Sequence, residues 1–172
     1  MFAIWLLVAC GVAESDTEAV VQNPADDLDM RAEDFPCMDD MTTTGRYRYT
    51  NLLGYDAETA QVAASVTGGV YPVGTLIQLI PTEAMVKRKA GWNASTSDWE
   101  FFALGVSAEG TVINARGGAE VENAFNGQSC LGCHSAAAPE YDLVCGEDHG
   151  CAPLGVSQET IQAIQANDAR CN

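Results

Sequence analysis

An α+β fold, mainly an antiparallel β-sheet with a few helices and stapled by disulfides, is predicted by three features of the 172-residue sequence. The stretch "SDWEFFALGVS" alternates as a strand does. It puts Trp99, Phe101 and Ala103 on one face and Glu100, Phe102 and Leu104 on the other. "AEGTVINARGG" follows after a turn expected at Glu109-Gly110, so the two read as a hairpin. Between and beyond the strand-like runs lie two stretches rich in helix formers, "DAETAQVAASV" and "SQETIQAIQAND".

In chain order, "GRYRYT" alternates and predicts a first strand. Asp56 is the expected N-cap of the first helix. "GTLIQLIP" is rich in β-formers and ends at Pro81, which cannot donate to a ladder. The last helix should start at a Ser157 cap. No internal repeat is visible, and the length suits one domain.

Upstream of the domain, residues 2–9 are wholly apolar, too few to span a bilayer and typical of a signal-peptide core. The run ends in Leu7-Val8-Ala9-Cys10, which matches a bacterial lipoprotein box. No Lys or Arg precedes it, so the positive charge would come from the free amine or from an earlier start. The expected organisation is a signal peptide over 1–9, an acidic flexible tether over 10–34 and a domain over 35–172. Cys10 is the expected site of lipidation, and Gly11 lacks the aspartate that retains lipoproteins in the inner membrane of enteric bacteria. The expected location is therefore the bacterial periplasm, lipid-anchored, at the outer membrane. An ordinary signal peptide with an incidental cysteine is the alternative. Export to an oxidising compartment follows from both.

Acidic residues number 24 against 8 basic ones, a net charge of −16. That excludes nucleic acid as a partner, because phosphate binding needs Lys and Arg. A self-repelling soluble surface explains the charge; docking to basic partners is the functional alternative.

Seven cysteines, an odd count, ask for an explanation in an exported chain. Lipid at Cys10 and a cofactor at Cys130 and Cys133 leave Cys37, Cys145, Cys151 and Cys171. These allow two disulfides in three pairings. Cys145 and Cys151 enclose the short polar loop "GEDHG" and are the readier pair. Cys37 with Cys171 would then tie the start of the domain to its end; the other pairings stay open.

The chemistry centres on Cys130-Leu131-Gly132-Cys133-His134. CxxCH is the attachment sequence of c-type haem: each thiol adds to a vinyl group, and the adjacent imidazole reaches the iron. Gly132 and the small residues 135–138 would let a porphyrin approach the backbone. One covalent haem c is the cofactor expected, with His134 as metal ligand. Two other readings stand beside it. Cys130, Cys133, Cys145 and either His149 or Cys151 are candidate zinc ligands, or the thiols are disulfide partners only.

The ligand opposite His134 decides function. Electron-transfer cytochromes carry Met or a second His there. No methionine follows Cys133; Met30, Met38 and Met41 lie in or beside the expected tether, Met85 reads as core, and His149 sits inside the presumed disulfide loop. The distal site is expected empty or weakly held, open to small gases, nitrogen oxides or peroxide.

"YPVGTLIQLIP", "SDWEFFAL" and "CLGCHSAAAPEYDLVC", within residues 71–145, resemble the cytochrome P-460 and cytochrome c′-beta family. The N-terminal half of the domain shows no match. The resemblance implies a mainly β haem domain, often dimeric, with a five-coordinate iron on His134, thioethers at Cys130 and Cys133, and a hydrophobic distal pocket. The aromatic strand would supply its wall; Phe101 and Phe102 face opposite ways, so one at most would touch the haem. Hydroxylamine-oxidising members carry a lysine cross-linked to the haem, a few residues after the "GT" pair. Aligned on Gly74-Thr75, that position is Leu79. Lys87 and Lys89 come later, as exposed helix lysines or as a shifted cross-link. The departure favours the c′-beta branch: binding or detoxifying nitric oxide or a related nitrogen oxide, with a redox partner the sequence does not name. An electron-transfer lipoprotein with a sixth ligand, and a structural lipoprotein without haem, are the rivals.

Overall fold

The computed structural model describes residues 27–124 and 127–171. The expected signal peptide, Cys10 and the tether as far as residue 26 lie outside the described residues. Six strands form one antiparallel sheet: β1 (Thr42–Thr44), β2 (Tyr47–Asn51), β3 (Thr75–Gln78), β4 (Glu83–Lys87), β5 (Trp99–Ser107) and β6 (Gly110–Gly117). Each strand pairs with its chain neighbour, in the order β1-β2-β3-β4-β5-β6. Three helices accompany them: α1 (Asp56–Ala63), α2 (Cys130–His134) and α3 (Gln158–Ala166). The fold is α+β with two disulfides, Cys37–Cys171 and Cys145–Cys151, as the sequence predicts.

The register sorts side chains onto two faces, because alternate strand residues point to opposite sides. Tyr49, Ile77, Met85 and Phe101 stand directly opposite one another across β2–β5, forming one row of the first face. Trp99, Tyr47 and Cys130 belong to the same buried cluster. On the second face Leu76, Val86, Phe102 and Leu104 pack with Met30, Phe35, Met38 and Met41. Both faces of β5 are thus covered, as its two sets of apolar residues require. A bulge between Ala103 and Leu104 carries its far half out toward solvent.

Residues 27–34 differ from the expected tether. Met30 is 2% exposed, Arg88 is ion-paired with Asp27, and Arg116 donates to the Met30 carbonyl at 2.8 Å. The packed domain therefore begins at least eight residues before Phe35. Acidic composition suggests a solvated chain, but here Asp27 pairs with Arg88 at the end of β4 and the Met30 carbonyl accepts from Arg116 of β6. Glu100 lies between Arg88 and Arg116 on this face and is 3% exposed.

Three local readings are corrected. Asp56 begins α1 but does not cap it; its carboxylate accepts from the Asn51 amide at 3.1 Å, fixing the turn between β2 and the helix. The β5–β6 turn is centred on Ala108-Glu109, since Ser107 pairs with Gly110. Lys87 lies in a strand, not a helix: Glu83, Ala84, Met85 and Lys87 are good helix formers, and cross-strand burial overrides that propensity. Ser157 does cap α3, accepting from the Thr160 amide. From that helix Gln165 donates to the Arg46 and Leu79 carbonyls, pinning α3 to the sheet edge.

Candidate functional site

The CxxCH turn is itself α2, one short helix lying over the first face of the sheet. Positions three and four apart share one side of a helix, so Cys130, Cys133 and His134 are presented together. Cys130 is buried in the cluster of Trp99 and Phe101, and Cys133 is exposed. They are the free cysteines among the described residues; the other four are paired. Burial first, then the nearby Glu83 carboxylate, pushes the Cys130 thiol up to about 11.

His134 is held by the segment that follows the motif. Its Nδ1 lies 2.7 Å from the Leu143 carbonyl oxygen. A carbonyl only accepts, so Nδ1 carries the proton and Nε2 keeps its lone pair. Burial lowers the imidazole's pKa, opposed by the bond to Leu143, and the neutral ring is the form that ligates a metal. The ring also tilts against Phe101, centroids 5.2 Å apart.

The Leu143 carbonyl is aimed by an unusual backbone. Asp142 and Leu143 have φ of 51° and 64°, two consecutive left-handed residues that are not glycine. Such a conformation costs roughly 1–2 kcal/mol per residue and needs compensation nearby. Asp142 supplies it. Its carboxylate accepts from Lys87 Nζ at 2.7 and 2.8 Å and from the Tyr71 amide at 2.9 Å. Its carbonyl accepts from Trp99 Nε1 at 2.7 Å. Lys87 Nζ also donates to the Ser97 carbonyl and stands 5.1 Å from the Trp99 ring centroid. Lys87 is 5% and Asp142 8% exposed. Burial pushes the carboxyl up and the ammonium down, each shift opposed by the partner's charge.

The "GT" pair serves the same assembly. Gly74 has φ 83°, and a Cβ there would come within 2.8 Å of Leu53 Cγ. Its amide donates to the Lys87 carbonyl at 2.8 Å, setting the end of β4. Gly68 lets the loop before β3 touch the segment after the motif: a Cβ would stand 2.0 Å from the Glu140 oxygen.

The residues fit a covalently held haem. Two unpaired thiols and a neutral imidazole with a free Nε2 share one side of α2. A Cβ on Gly132 would find only Ser129 Cβ, 3.7 Å away, so the backbone is open to a flat group. A cleft of about 540 Å³ bordered by Ser135, Ala137, Lys87, Asp142 and Leu143 lies next along the chain and is not lined by Cys130, Cys133 or His134. The zinc set is not brought together: Cys145 and Cys151 are joined to each other. His149 stacks on Tyr141 at 3.7 Å, with Nδ1 2.7 Å from the Val144 carbonyl. Among the described residues, the one grouping of three metal-binding side chains is Cys37, Asp39 and Cys171, whose sulfurs form the disulfide.

Several predicted site residues are re-placed. Phe102 is on the opposite face, packed on Phe35 at 5.0 Å, and cannot touch a group at Cys130. Phe101 is on the motif's face but lies against the His134 ring itself rather than apart from it as a distal wall. That face is not purely apolar: the Tyr47 and Tyr71 hydroxyls are hydrogen-bonded there at 3.0 Å. Leu79 packs on the same cluster as Cys130. Met30, Met38 and Met41 belong to the second face, whereas Met85 is buried beside Phe101 on the first. The sequence reading missed Asp142 and Tyr71 as parts of the site, and gave Lys87 only as an exposed helix lysine or a shifted cross-link; a lysine at the end of an apolar "AMV" run was the available signal for its burial.

Comparisons with protein-family models, with curated proteins and with solved structures give no match.

Proposed function

We propose that this chain is an exported c-type cytochrome of the P-460/c′-beta kind, lipid-anchored at Cys10 in the periplasm. It would carry one haem through Cys130 and Cys133, with His134 as proximal ligand, and bind or detoxify nitric oxide or a related nitrogen oxide. The observation that carries this reading is the Nδ1 bond of His134 to Leu143, which leaves Nε2 free beside the two unpaired thiols. When bound, the haem supplies an iron centre with affinity for small diatomic ligands. The chain's own residues attach it, orient the imidazole and exclude water from one side through Trp99, Phe101 and Val144. Leu79 has no amine with which to make the family's cross-link, so hydroxylamine oxidation is not expected. Lys87 is no substitute, because its ammonium is engaged by Asp142 and Ser97.

The test is expression with a c-type maturation system, then intact mass and a reduced spectrum with and without carbon monoxide. A haem-sized addition lost in Cys130→Ala/Cys133→Ala, and a broad high-spin ferrous band that shifts with carbon monoxide, are expected. No covalent addition in the wild type refutes the reading.

Met85 favours a second reading. Its thioether is buried on the motif's face, opposite Phe101 in the register. An electron-transfer cytochrome with Met85 as sixth ligand would show sharp low-spin bands that disappear in Met85→Leu.

A further inference from the structure

We infer that the buried Lys87–Asp142 pair is a positioning device for His134. It fixes the left-handed Asp142-Leu143 backbone and so sets the orientation, and the Nδ1 hydrogen bond, of the ligating imidazole. The inference rests on the proposed haem function for its consequence, but its geometry is independent of it.

Four groups converge on two residues. Lys87 Nζ, the Tyr71 amide and Trp99 Nε1 all donate to Asp142, and the next carbonyl along receives His134. The donors come from β4, from the loop before β3 and from β5, so three parts of the scaffold clamp one turn. Without them, two consecutive non-glycine residues at positive φ would relax to ordinary backbone, swinging the Leu143 carbonyl away from Nδ1. A buried ion pair is seldom the most stabilising choice; hydrophobic residues of similar volume often serve stability as well or better. Its use here is directional. A ligand imidazole that donates its second N–H to a fixed acceptor is a stronger base toward the metal, and such outer partners tune potential and affinity. Glu100 with Arg88 and Arg116 is a comparable buried cluster on the opposite face, where it touches no part of the motif. It is therefore a built-in control.

The experiment compares full-length matured wild type, Asp142→Ala, Trp99→Phe and Glu100→Gln. Trp99→Phe keeps most of the ring and removes only one donor to the turn. Read-outs are the iron–histidine stretch by resonance Raman and the midpoint potential. Asp142→Ala should lower the stretch frequency and raise the potential, Trp99→Phe should do both to a smaller degree, and Glu100→Gln should do neither. Unchanged stretch and potential in both Asp142→Ala and Trp99→Phe overturn the inference, as does an equal shift in Glu100→Gln. Should Asp142→Ala not fold, Trp99→Phe alone decides. A wild type without haem refutes the functional reading instead. The positioning claim is then read from nitrogen-15 shifts of His134: a single Nδ1–H tautomer in wild type and a mixture in Trp99→Phe uphold it, and the same tautomer in both overturns it.

Discussion

Removing the Cys37–Cys171 disulfide should cost far more stability than removing Cys145–Cys151, although the second lies beside the candidate site. The first joins residues 134 apart in the chain, the second residues 6 apart. Restricting the unfolded chain by loops of those lengths stabilises the fold by about 5 and about 2 kcal/mol respectively. The native contacts around Cys37 survive the change: the Met38 amide donates to Asp168 at 3.1 Å, Arg48 to the Met38 carbonyl at 2.8 Å and Arg170 to the Phe35 carbonyl at 3.3 Å. The loss therefore acts through the unfolded state, not through collapse of the joint. Against a whole-domain stability of roughly 5–15 kcal/mol, the longer link is a large share. Equilibrium urea unfolding of oxidised wild type, Cys37→Ala/Cys171→Ala and Cys145→Ala/Cys151→Ala measures both losses. The long-loop variant should also show a steeper denaturant slope, because its unfolded chain is freed to expand. Equal losses in the two double variants would refute the reasoning.

Glu100→Ala should cost about 3 kcal/mol, because it takes the shared carboxylate from buried Arg88 and from the more exposed Arg116; guanidinium unfolding reads it, and a loss below ~1 kcal/mol contradicts the burial argument. Burial acts most strongly on Asp168 and pushes its carboxyl up, yet the bonds from Arg170 and Met38 together hold it below the usual carboxylate range. Its contribution is thus complete above the unfolded-chain value and lost as pH falls through the folded one. Asp168→Asn should lower stability at pH 7 and flatten the acid limb of a urea-midpoint profile; an unchanged limb counts against it. Met85→Leu should leave a ferrous spectrum unaltered if the iron is five-coordinate, whereas loss of low-spin bands would establish the thioether as a ligand.

The parts of the fold most visible in the sequence were those where local pattern and tertiary burial agree. β5 alternates and is buried on both faces, so its two apolar sets could be read directly, and Ser157 caps α3 as its position suggests. Counting left four cysteines for two disulfides once the motif and Cys10 were set aside, and the short loop between Cys145 and Cys151 made that pair the readier one; the pairing Cys37–Cys171 needed the structure. β4 escaped notice because Glu83, Ala84, Met85 and Lys87 prefer helices, and only pairing between β3 and β5 makes the segment extended. Asp142 escaped for a different reason. Its partners are 55 and 43 residues away in the chain, so no local pattern marks the turn that aims the Leu143 carbonyl. Phe102 was legible as facing away from Phe101, but not which of the two faces the motif would cover.

The neighbour-by-neighbour strand order has a kinetic meaning. Every pairing closes a short stretch of chain, the longest being residues 52–74, and closure of such loops carries little entropy. Sheets wired this way have low contact order for a β structure and belong to its faster folders. Among the described residues none after Gly117 contributes a strand, so the six-stranded ladder needs no residue of the CxxCH segment. Under the proposed function, the segment that must be presented to a haem-attaching enzyme is one the sheet does not wait for. The strand ladder and the covalent modification are separable in time, and the disulfide from Cys37 to Cys171 then ties the two ends together.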